Sequence, residues 1–151
     1  MSDLSRILLV LLLVLGNAVF VAAEYALVTA RRSRLEQQAE RHATARLALR
    51  LMDEPVRFIS TVQVGITVFS ILLGAVGEPL ISGYFDSWVS HAIAFTLAFL
   101  ILTYLSVVLG ELVPKAIALQ RAERLAIALA LPLDLLARVA HPLVWLLQVS
   151  A

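Results

Sequence analysis

The stretch Leu109-Gly110-Glu111-Leu112-Val113-Pro114-Lys115 closes an apolar run of bilayer length, Ala92–Leu109. Pro114 has no N–H, so the carbonyl of Gly110, four residues earlier, loses its helical partner. In lipid an unpaired carbonyl is strongly unfavourable unless another group satisfies it. An ionisable residue within the membrane, here Glu111, indicates a functional site, and a free carbonyl beside a carboxylate suits Mg²⁺ or Ca²⁺. The alternative is an interfacial Glu111 that pairs with the lysine four residues later.

The composition is typical of a membrane protein. Hydrophobic residues make up 61% of the 151 residues, against roughly 45–50% in soluble domains, and the mean hydropathy is +0.92. The chain has no cysteine, which excludes disulfides and thiolate metal sites, and its three histidines lack ligand spacing. The sequence contains no nucleophile–base pair and no phosphate-binding loop. We therefore predict that the chain is not an enzyme and has no nucleic-acid partner.

Three apolar segments are predicted to cross the membrane, because about 20 residues span the bilayer core. They cover about residues 7–29, 56–81 and 88–113. The first is longer than the apolar part of a signal peptide and contains Asn17 and Glu24, which favours a span. Of the 12 Lys and Arg residues, only Arg6 lies on a proposed outer segment. The positive-inside rule then predicts a multi-pass protein of the inner (plasma) membrane, with its N-terminus outside and its C-terminus cytoplasmic.

Two further segments are predicted to be juxtamembrane helices on the cytoplasmic side, at about residues 33–53 and 116–150. The first has apolar residues about once per helical turn and abundant arginine, which is typical of a helix that lies on the lipid surface. The second is divided by Pro132 and Pro142 into apolar pieces too short to span. A fourth crossing over Ile127–Val149 is the alternative, opposed by those prolines and the charged residues between them.

Each predicted span carries one stripe of polar residues, and the stripes fall at two matching depths. At 1.5 Å rise per residue, the layer about 6–11 Å from the cytoplasmic boundary contains Glu24, Gln63 and Glu111. The layer about 18–21 Å deep, near the midplane, contains Asn17, Ser70 and Thr103. Small and hydroxyl residues also hold membrane helices together, and this packing role is favoured at four positions. These are Thr61, Gly65, Gly77 and Thr96.

The predicted cation site combines residues from both layers. Its members are Glu111, Ser70, Asn17, Gly110, Glu24 and Gln63. Two carboxylates with neutral oxygens, and no Cys or His, suit Mg²⁺, Ca²⁺ or Na⁺. Glu24 and Gln63 are expected to line the inner vestibule or bind Na⁺; alternatively, Glu24 holds the first helix against the arginines and Gln63 bonds another helix. Three spans offer little wall for a pore, so a homodimer in the lipid membrane is predicted.

Four motifs in order resemble the transmembrane domain of the CNNM/CorC family. They are Asn17–Leu27, Arg31–Glu36, Ser60–Thr67 and Gly110–Lys115. The resemblance implies a dimer of three-span units with a juxtamembrane helical belt and an ion pocket open to the cytoplasm. It also implies Mg²⁺ export coupled to Na⁺ influx. Family members carry a cytoplasmic ATP-binding CBS-pair domain and often a CorC domain, which are expected in the full-length protein and absent from this chain.

One departure from the family pattern falls in the first motif. Many members have serine where this chain has Val21, so on the first helix Asn17 or backbone carbonyls are expected to replace that hydroxyl.

The resulting hypothesis is an all-α integral membrane domain of a Mg²⁺ transporter. The alternative is a membrane Mg²⁺ sensor that binds the ion without moving it, and a third possibility is a structural anchor. Ion flux separates the first two functions, whereas an anchor predicts that Glu111→Ala leaves ion affinity unchanged.

Overall fold

The computed structural model describes residues 2–151 as a set of nine α-helices. In chain order these are α1 (Asp3–Thr29), α2 (Arg32–Ala39), α3 (Ala43–Asp53), α4 (Pro55–Leu72), α5 (Glu78–Phe85), α6 (His91–Val107), α7 (Val113–Gln120), α8 (Ala122–Val139) and α9 (His141–Ser150). Two five-residue π-helical segments, Leu73–Gly77 and Val108–Leu112, join α4 to α5 and α6 to α7. No strand occurs within the described residues, which confirms the all-α prediction.

Three helical segments are long and apolar enough to cross a membrane: Asp3–Thr29, Pro55–Phe85 and His91–Gln120. They confirm the three predicted spans and show a protein embedded in a membrane. The second and third spans are composite, because each contains a π-helical segment. The helices α8 and α9 meet the same criterion only as a pair, and they are bent by 67° relative to one another.

The second span is longer than the sequence predicts. It does not end at Ile81, since α5 continues to Phe85 and places Glu78 and Pro79 inside the helix. Pro79 lies in the first turn of α5 and directly follows the π-helical segment, so its missing N–H falls where the regular helical hydrogen bonding is already interrupted.

The third span also differs at both ends from its predicted bounds. It begins at His91 rather than Trp88, because Trp88 lies in the turn that precedes the helix. It continues to Gln120, beyond the predicted end at residue 113. Pro114 occupies the first turn of α7, so the proline follows a π-helical segment instead of ending the span.

The helix α1 lies at the centre of the fold, packed against α4, α7 and α8. Its C-terminal half is rich in alanine, which lets neighbouring helices approach closely. The main core buries Ala23, Ala26, Leu27, Ala30, Leu35, Ala48, Leu51, Phe58, Val62, Ala118, Ala122, Ala126, Ala130 and Leu133. A smaller core near the other end of the bundle buries Val10, Leu13, Val14, Leu73 and Leu102.

The helices α2, α3 and α8 form the juxtamembrane belt around one end of α1. A hydrogen bond of 2.6 Å from Arg32 to Asp53 joins α2 to α3 and raises the pKa of the Arg32 guanidinium. At the start of α8, a hydrogen bond from its own backbone N–H lowers the pKa of Glu123. The Glu123 carboxylate also accepts the N–H of Arg31 at 3.3 Å, so the belt is tied to the end of the first span.

The C-terminal segment predicted at residues 116–150 differs in two respects: residues 116–120 belong to the third span, and Pro132 does not divide the rest. The helix α8 runs through Pro132, and the chain bends at Ala140, before Pro142. Pro132 leaves the carbonyl of Ala128 without a helical donor. Both residues are exposed. The buried Asp134 on α8 pairs with Arg138 at 2.9 Å and with Arg57 of α4 at 3.9 Å, which fixes the belt to the second span.

Candidate cation site

The site is built around the π-helical segment Val108–Leu112 in the third span. The N–H of Val113 bonds to the carbonyl of Val108, five residues earlier, and Pro114 supplies no N–H. The Gly110 carbonyl accepts a hydrogen bond of 3.3 Å from Nδ2 of Asn17 on α1. The carbonyl that the sequence predicts to lack a helical partner therefore has a partner on another helix. Single π turns inside α-helices are frequent at functional sites.

Asn17 leaves one oxygen free at this point. Its side chain is 2% exposed, and its Oδ1 is buried with no hydrogen-bond partner. A Cβ placed on Gly110 would lie 3.1 Å from Nδ2 of Asn17 and 3.7 Å from Oγ of Ser106. Glycine thus leaves room for the Asn17 amide against the Gly110 backbone, with the Ser106 hydroxyl nearby. Buried polar atoms nearly always have partners, so the free oxygen indicates a ligand.

The two predicted carboxylates lie close in sequence to the contact between Lys115 and Tyr25: Glu111 is four residues before Lys115, and Glu24 directly precedes Tyr25. Glu111 directly follows Gly110 and its side chain is exposed, whereas Glu24 is half-buried on α1. The Lys115 ammonium lies 4.5 Å from the centre of the Tyr25 ring. None of the ion pairs within 4.0 Å among residues 2–151 includes Glu24 or Glu111. The structure therefore does not show the close Glu111–Lys115 pair of the interfacial alternative.

Ser70 and Gln63 are both exposed on α4 and line two different clefts. Ser70 lies in a cleft of about 890 Å³ between the second and third spans, which Thr103 and Ser106 also line. Gln63 lies in a cleft of about 1020 Å³ bounded by α9.

Of the six predicted site residues, Asn17 and Gly110 are joined directly by a hydrogen bond. Glu111 adjoins Gly110 in the chain, and Ser70 reaches the same region only through the cleft it shares with Ser106. Within the described part of the chain, no three His, Cys, Asp or Glu side chains are placed to hold a metal ion. A cation at Gly110 would accordingly be held mainly by neutral oxygens, with Glu111 supplying charge.

The packing residues of the second span are separate from this site. A Cβ on Gly65 would collide with the Phe20 ring, and one on Gly16 would collide with the Phe69 ring. These two rings lie 5.8 Å apart between centroids, so each covers a glycine on the opposite helix. Thr61 is buried and bonds to the carbonyl of Arg57 at 2.8 Å. Both observations fit the helix-packing role predicted for Gly65 and Thr61.

Comparison with known proteins places this chain in a family. Residues 7–151 match the domain described as the cyclin M transmembrane N-terminal domain, CNNM. The chain belongs to the CNNM family. The UPF0053 protein YhdT of Bacillus subtilis (strain 168) is 40% identical over 162 residues, which cover 100% of this chain and 35% of that protein.

Two further relatives support the assignment to the CNNM family. The uncharacterized protein Rv1841c of Mycobacterium tuberculosis (strain ATCC 25618 / H37Rv) is 44% identical over 150 residues, covering 95% of this chain and 44% of that protein. A protein of Haemophilus influenzae (strain ATCC 51907 / DSM 11121 / KW20 / Rd) named polyamine export protein is 32% identical over 155 residues, covering 96% of this chain and 36% of that protein. The chain spans less than half the length of these relatives. The resemblance inferred from four motifs is confirmed.

Two features of the candidate site are absent from the ligand set predicted from the sequence: the Ser106 hydroxyl and the contact between Lys115 and Tyr25. Ser106 lies on the same helical face as Gly110, four residues earlier, and this spacing is the signal that identifies it. The contact of Lys115 with Tyr25 joins residues 90 positions apart and has no local signal in the sequence.

Proposed function

We propose that this CNNM domain is the membrane part of a secondary transporter that exports Mg²⁺ and is driven by Na⁺ influx. The observation that carries the proposal is the free, buried Oδ1 of Asn17 beside the Gly110 carbonyl, with the carboxylate of Glu111 next in the chain. Mg²⁺ prefers octahedral oxygen ligands and keeps several waters. A few protein oxygens and one carboxylate, completed by water, suit such an ion.

In this proposal the neutral oxygens replace part of the hydration shell of the ion. Asn17 and Gly110 supply them from two helices, and Ser70 supplies another when the cleft between the second and third spans narrows around the cargo. Glu111 balances the charge from the exposed end of the π-helical segment. Glu24 and Gln63 lie in the inner vestibule, where they attract Mg²⁺ or bind Na⁺ in exchange.

We further propose that two copies associate in the plasma membrane, with the N-terminus outside and the belt in the cytoplasm. The support is the exposure of Ser70 and Gln63 on the second span. A single copy surrounded by lipid would direct these groups towards hydrocarbon, and polar side chains in spans almost always face protein or a water-filled cavity. A second copy against this side would turn two open clefts into an enclosed path.

Export of an organic polycation is the second candidate function. The structure already holds one alkylammonium group against an aromatic ring, because the Lys115 ammonium lies 4.5 Å from the centre of the Tyr25 ring, and Glu24 directly precedes Tyr25. An aromatic face with nearby carboxylates is a general arrangement for binding amines. The Haemophilus relative named polyamine export protein makes this class of cargo specific enough to test.

The experiment is ion flux through the purified chain in liposomes that contain a fluorescent Mg²⁺ indicator, with and without an opposing Na⁺ gradient. The variants are Glu111→Gln and a matched control, Glu40→Gln, which neutralises an exposed carboxylate on the belt. We expect Na⁺-dependent Mg²⁺ flux in the wild type and the control, and a loss of about tenfold or more in Glu111→Gln.

The other outcomes decide between the alternatives. Saturable Mg²⁺ binding without flux would establish a sensor and overturn the transporter. Transport of radiolabelled spermidine, with no Mg²⁺ transport, would favour the polycation. Flux that ignores the Na⁺ gradient would overturn the coupling alone.

A further inference from the structure

The cation site at Asn17, Gly110 and Glu111 is called the inner site below. The cleft between the second and third spans contains a carboxylate that the inner site does not use. Glu78 lines this cleft of about 890 Å³ together with Ser70, Thr103 and Ser106. The hydroxyl groups come from both spans, and the remaining lining is largely apolar. A single carboxylate among neutral oxygens in an otherwise apolar cleft is the type of environment that holds a hard cation.

Glu78 has an unused acceptor at this position. The residue is half-buried, and its Oε1 is fully buried with no hydrogen-bond partner. Among residues 2–151 it forms no ion pair within 4.0 Å. Arg6, near the same end of the bundle, lines a separate pocket with Leu80 and Tyr84. A carboxylate that loses water without gaining a partner is unfavourable, which indicates that a cation completes it.

The backbone around Glu78 has the same components as that around Glu111, in a different order. Glu78 directly follows the π-helical segment Leu73–Gly77, and Pro79 follows Glu78. Pro79 cannot donate to the carbonyl of Ala75, four residues earlier, just as Pro114 cannot donate to that of Gly110. Each composite span thus combines a π-helical segment, a glutamate and a proline.

The two glutamates lie towards opposite ends of the bundle. Measured from the turn at residues 86–90, Glu78 is about 10 Å away along its helix and Glu111 about 30 Å away, at 1.5 Å per residue. Ser70 and Ser106 fall between them, each about 22 Å from the turn. Ser106 both lines the cleft and lies next to Gly110. The cleft therefore leads from Glu78 to the inner site.

We propose that Glu78, with the hydroxyls of Thr103 and Ser70, forms a second cation site that receives the transported Mg²⁺ from the Gly110 site and releases it on the outer side. This inference rests on the proposed function, because it assigns the other end of the same path. It predicts separable roles: Glu111 governs binding from the cytoplasmic side, and Glu78 governs passage.

The test compares Glu78→Gln with Asp86→Asn, which neutralises an exposed carboxylate in the outer turn. Mg²⁺ flux is measured in liposomes, and Mg²⁺ binding is measured by calorimetry in detergent. We expect Glu78→Gln to lose about tenfold or more of the flux while its tightest Mg²⁺ affinity stays within about twofold of the wild type. Asp86→Asn should retain both.

A second pair of variants guards against misfolding of Glu78→Gln. Thr103→Val removes a hydroxyl from the cleft at nearly constant side-chain volume. Thr96→Val is the matched control: it removes a hydroxyl from the same helix at a position outside the cleft, where the Thr96 hydroxyl donates to the carbonyl of Ala92. We expect reduced flux only in Thr103→Val.

Four results would overturn the outer site. Wild-type flux in Glu78→Gln would remove it and leave the proposed function intact. Equal flux in Thr103→Val and Thr96→Val would do the same if Glu78→Gln cannot be purified in folded form. Loss of binding together with flux in a folded Glu78→Gln would make Glu78 a structural partner, for example of Arg6. Absence of flux in the wild type would overturn the proposed function and the outer site together.

Discussion

The first span and the other two spans differ in how much of their apolar surface the protein itself covers. In the most apolar 18-residue stretch of α1, 39% of the residues are buried, against 17% in each of the other two spans. The belt encloses the C-terminal half of α1 with alanine and leucine side chains. The second and third spans instead carry both π-helical segments and line the clefts that contain Ser70, Thr103 and Gln63.

This difference separates a region that maintains the fold from one that can change shape. Close packing around α1 fixes Asn17 in place, since a well-packed interior has discrete arrangements rather than continuous ones. The second and third spans contain irregular backbone at their π-helical segments, and we expect movement there, because α4 and α7 themselves pack against α1. A cation that binds between Asn17 and Gly110 would bridge the fixed region and the movable one.

The largest effect on stability is expected from the packed region. Leu27→Ala removes a side chain that is 2% exposed in the main core, and such a cavity costs about 2–5 kcal/mol. The matched control on the same helix is Leu12→Ala, at a position 62% exposed, where a change below about 0.5 kcal/mol is expected. Unfolding by SDS in mixed micelles measures both. Equal destabilisation by the two variants would contradict the contrast between buried and lipid-facing leucines.

A smaller effect is expected where α1 meets the second span. A Cβ on Gly65 would collide with the Phe20 ring, and overpacking of this kind costs about 1–3 kcal/mol. Gly74 has no atom within 4 Å of the corresponding position, so Gly74→Ala should be neutral or stabilising by up to about 1 kcal/mol through its higher helix propensity. The same micelle titration distinguishes them. A loss of stability in Gly74→Ala as large as that in Gly65→Ala would show that the cleft is packed rather than open.

Much of the fold follows from local sequence features. Span number, the helices of the belt and the interrupted hydrogen bonding at Gly110 could be predicted because hydropathy, arginine distribution and the missing N–H of Pro114 act over one or two helical turns. The ends of the composite spans could not. Whether a proline ends a helix or follows a π turn depends on the packing around it, and so the predicted span ends at residues 81 and 113 fall short of the observed ends at Phe85 and Gln120.

The candidate site was only partly accessible from sequence for a related reason. Asn17 and Gly110 are both predicted site residues, and the structure joins them by a hydrogen bond, although the depth estimate groups Asn17 with Ser70 and Thr103 instead. Spacing within one helix does not fix how that helix rotates against its neighbours, so the equal depth of Glu24, Gln63 and Glu111 did not imply contact. The Lys115 ammonium could have paired with Glu111 one turn away, but it lies over Tyr25 on another helix.

The most direct test of the central claim is calorimetric Mg²⁺ binding to the wild type, Glu111→Gln and Asn17→Leu, with Glu40→Gln as the control. We predict saturable binding in the wild type and the control. The two site variants should bind about tenfold more weakly or not at all, because each loses one ligand to the ion, while circular dichroism shows unchanged helix content. Equal Mg²⁺ affinity in all four proteins would contradict a cation site between Asn17 and Gly110, and Glu111 would then be an interfacial residue.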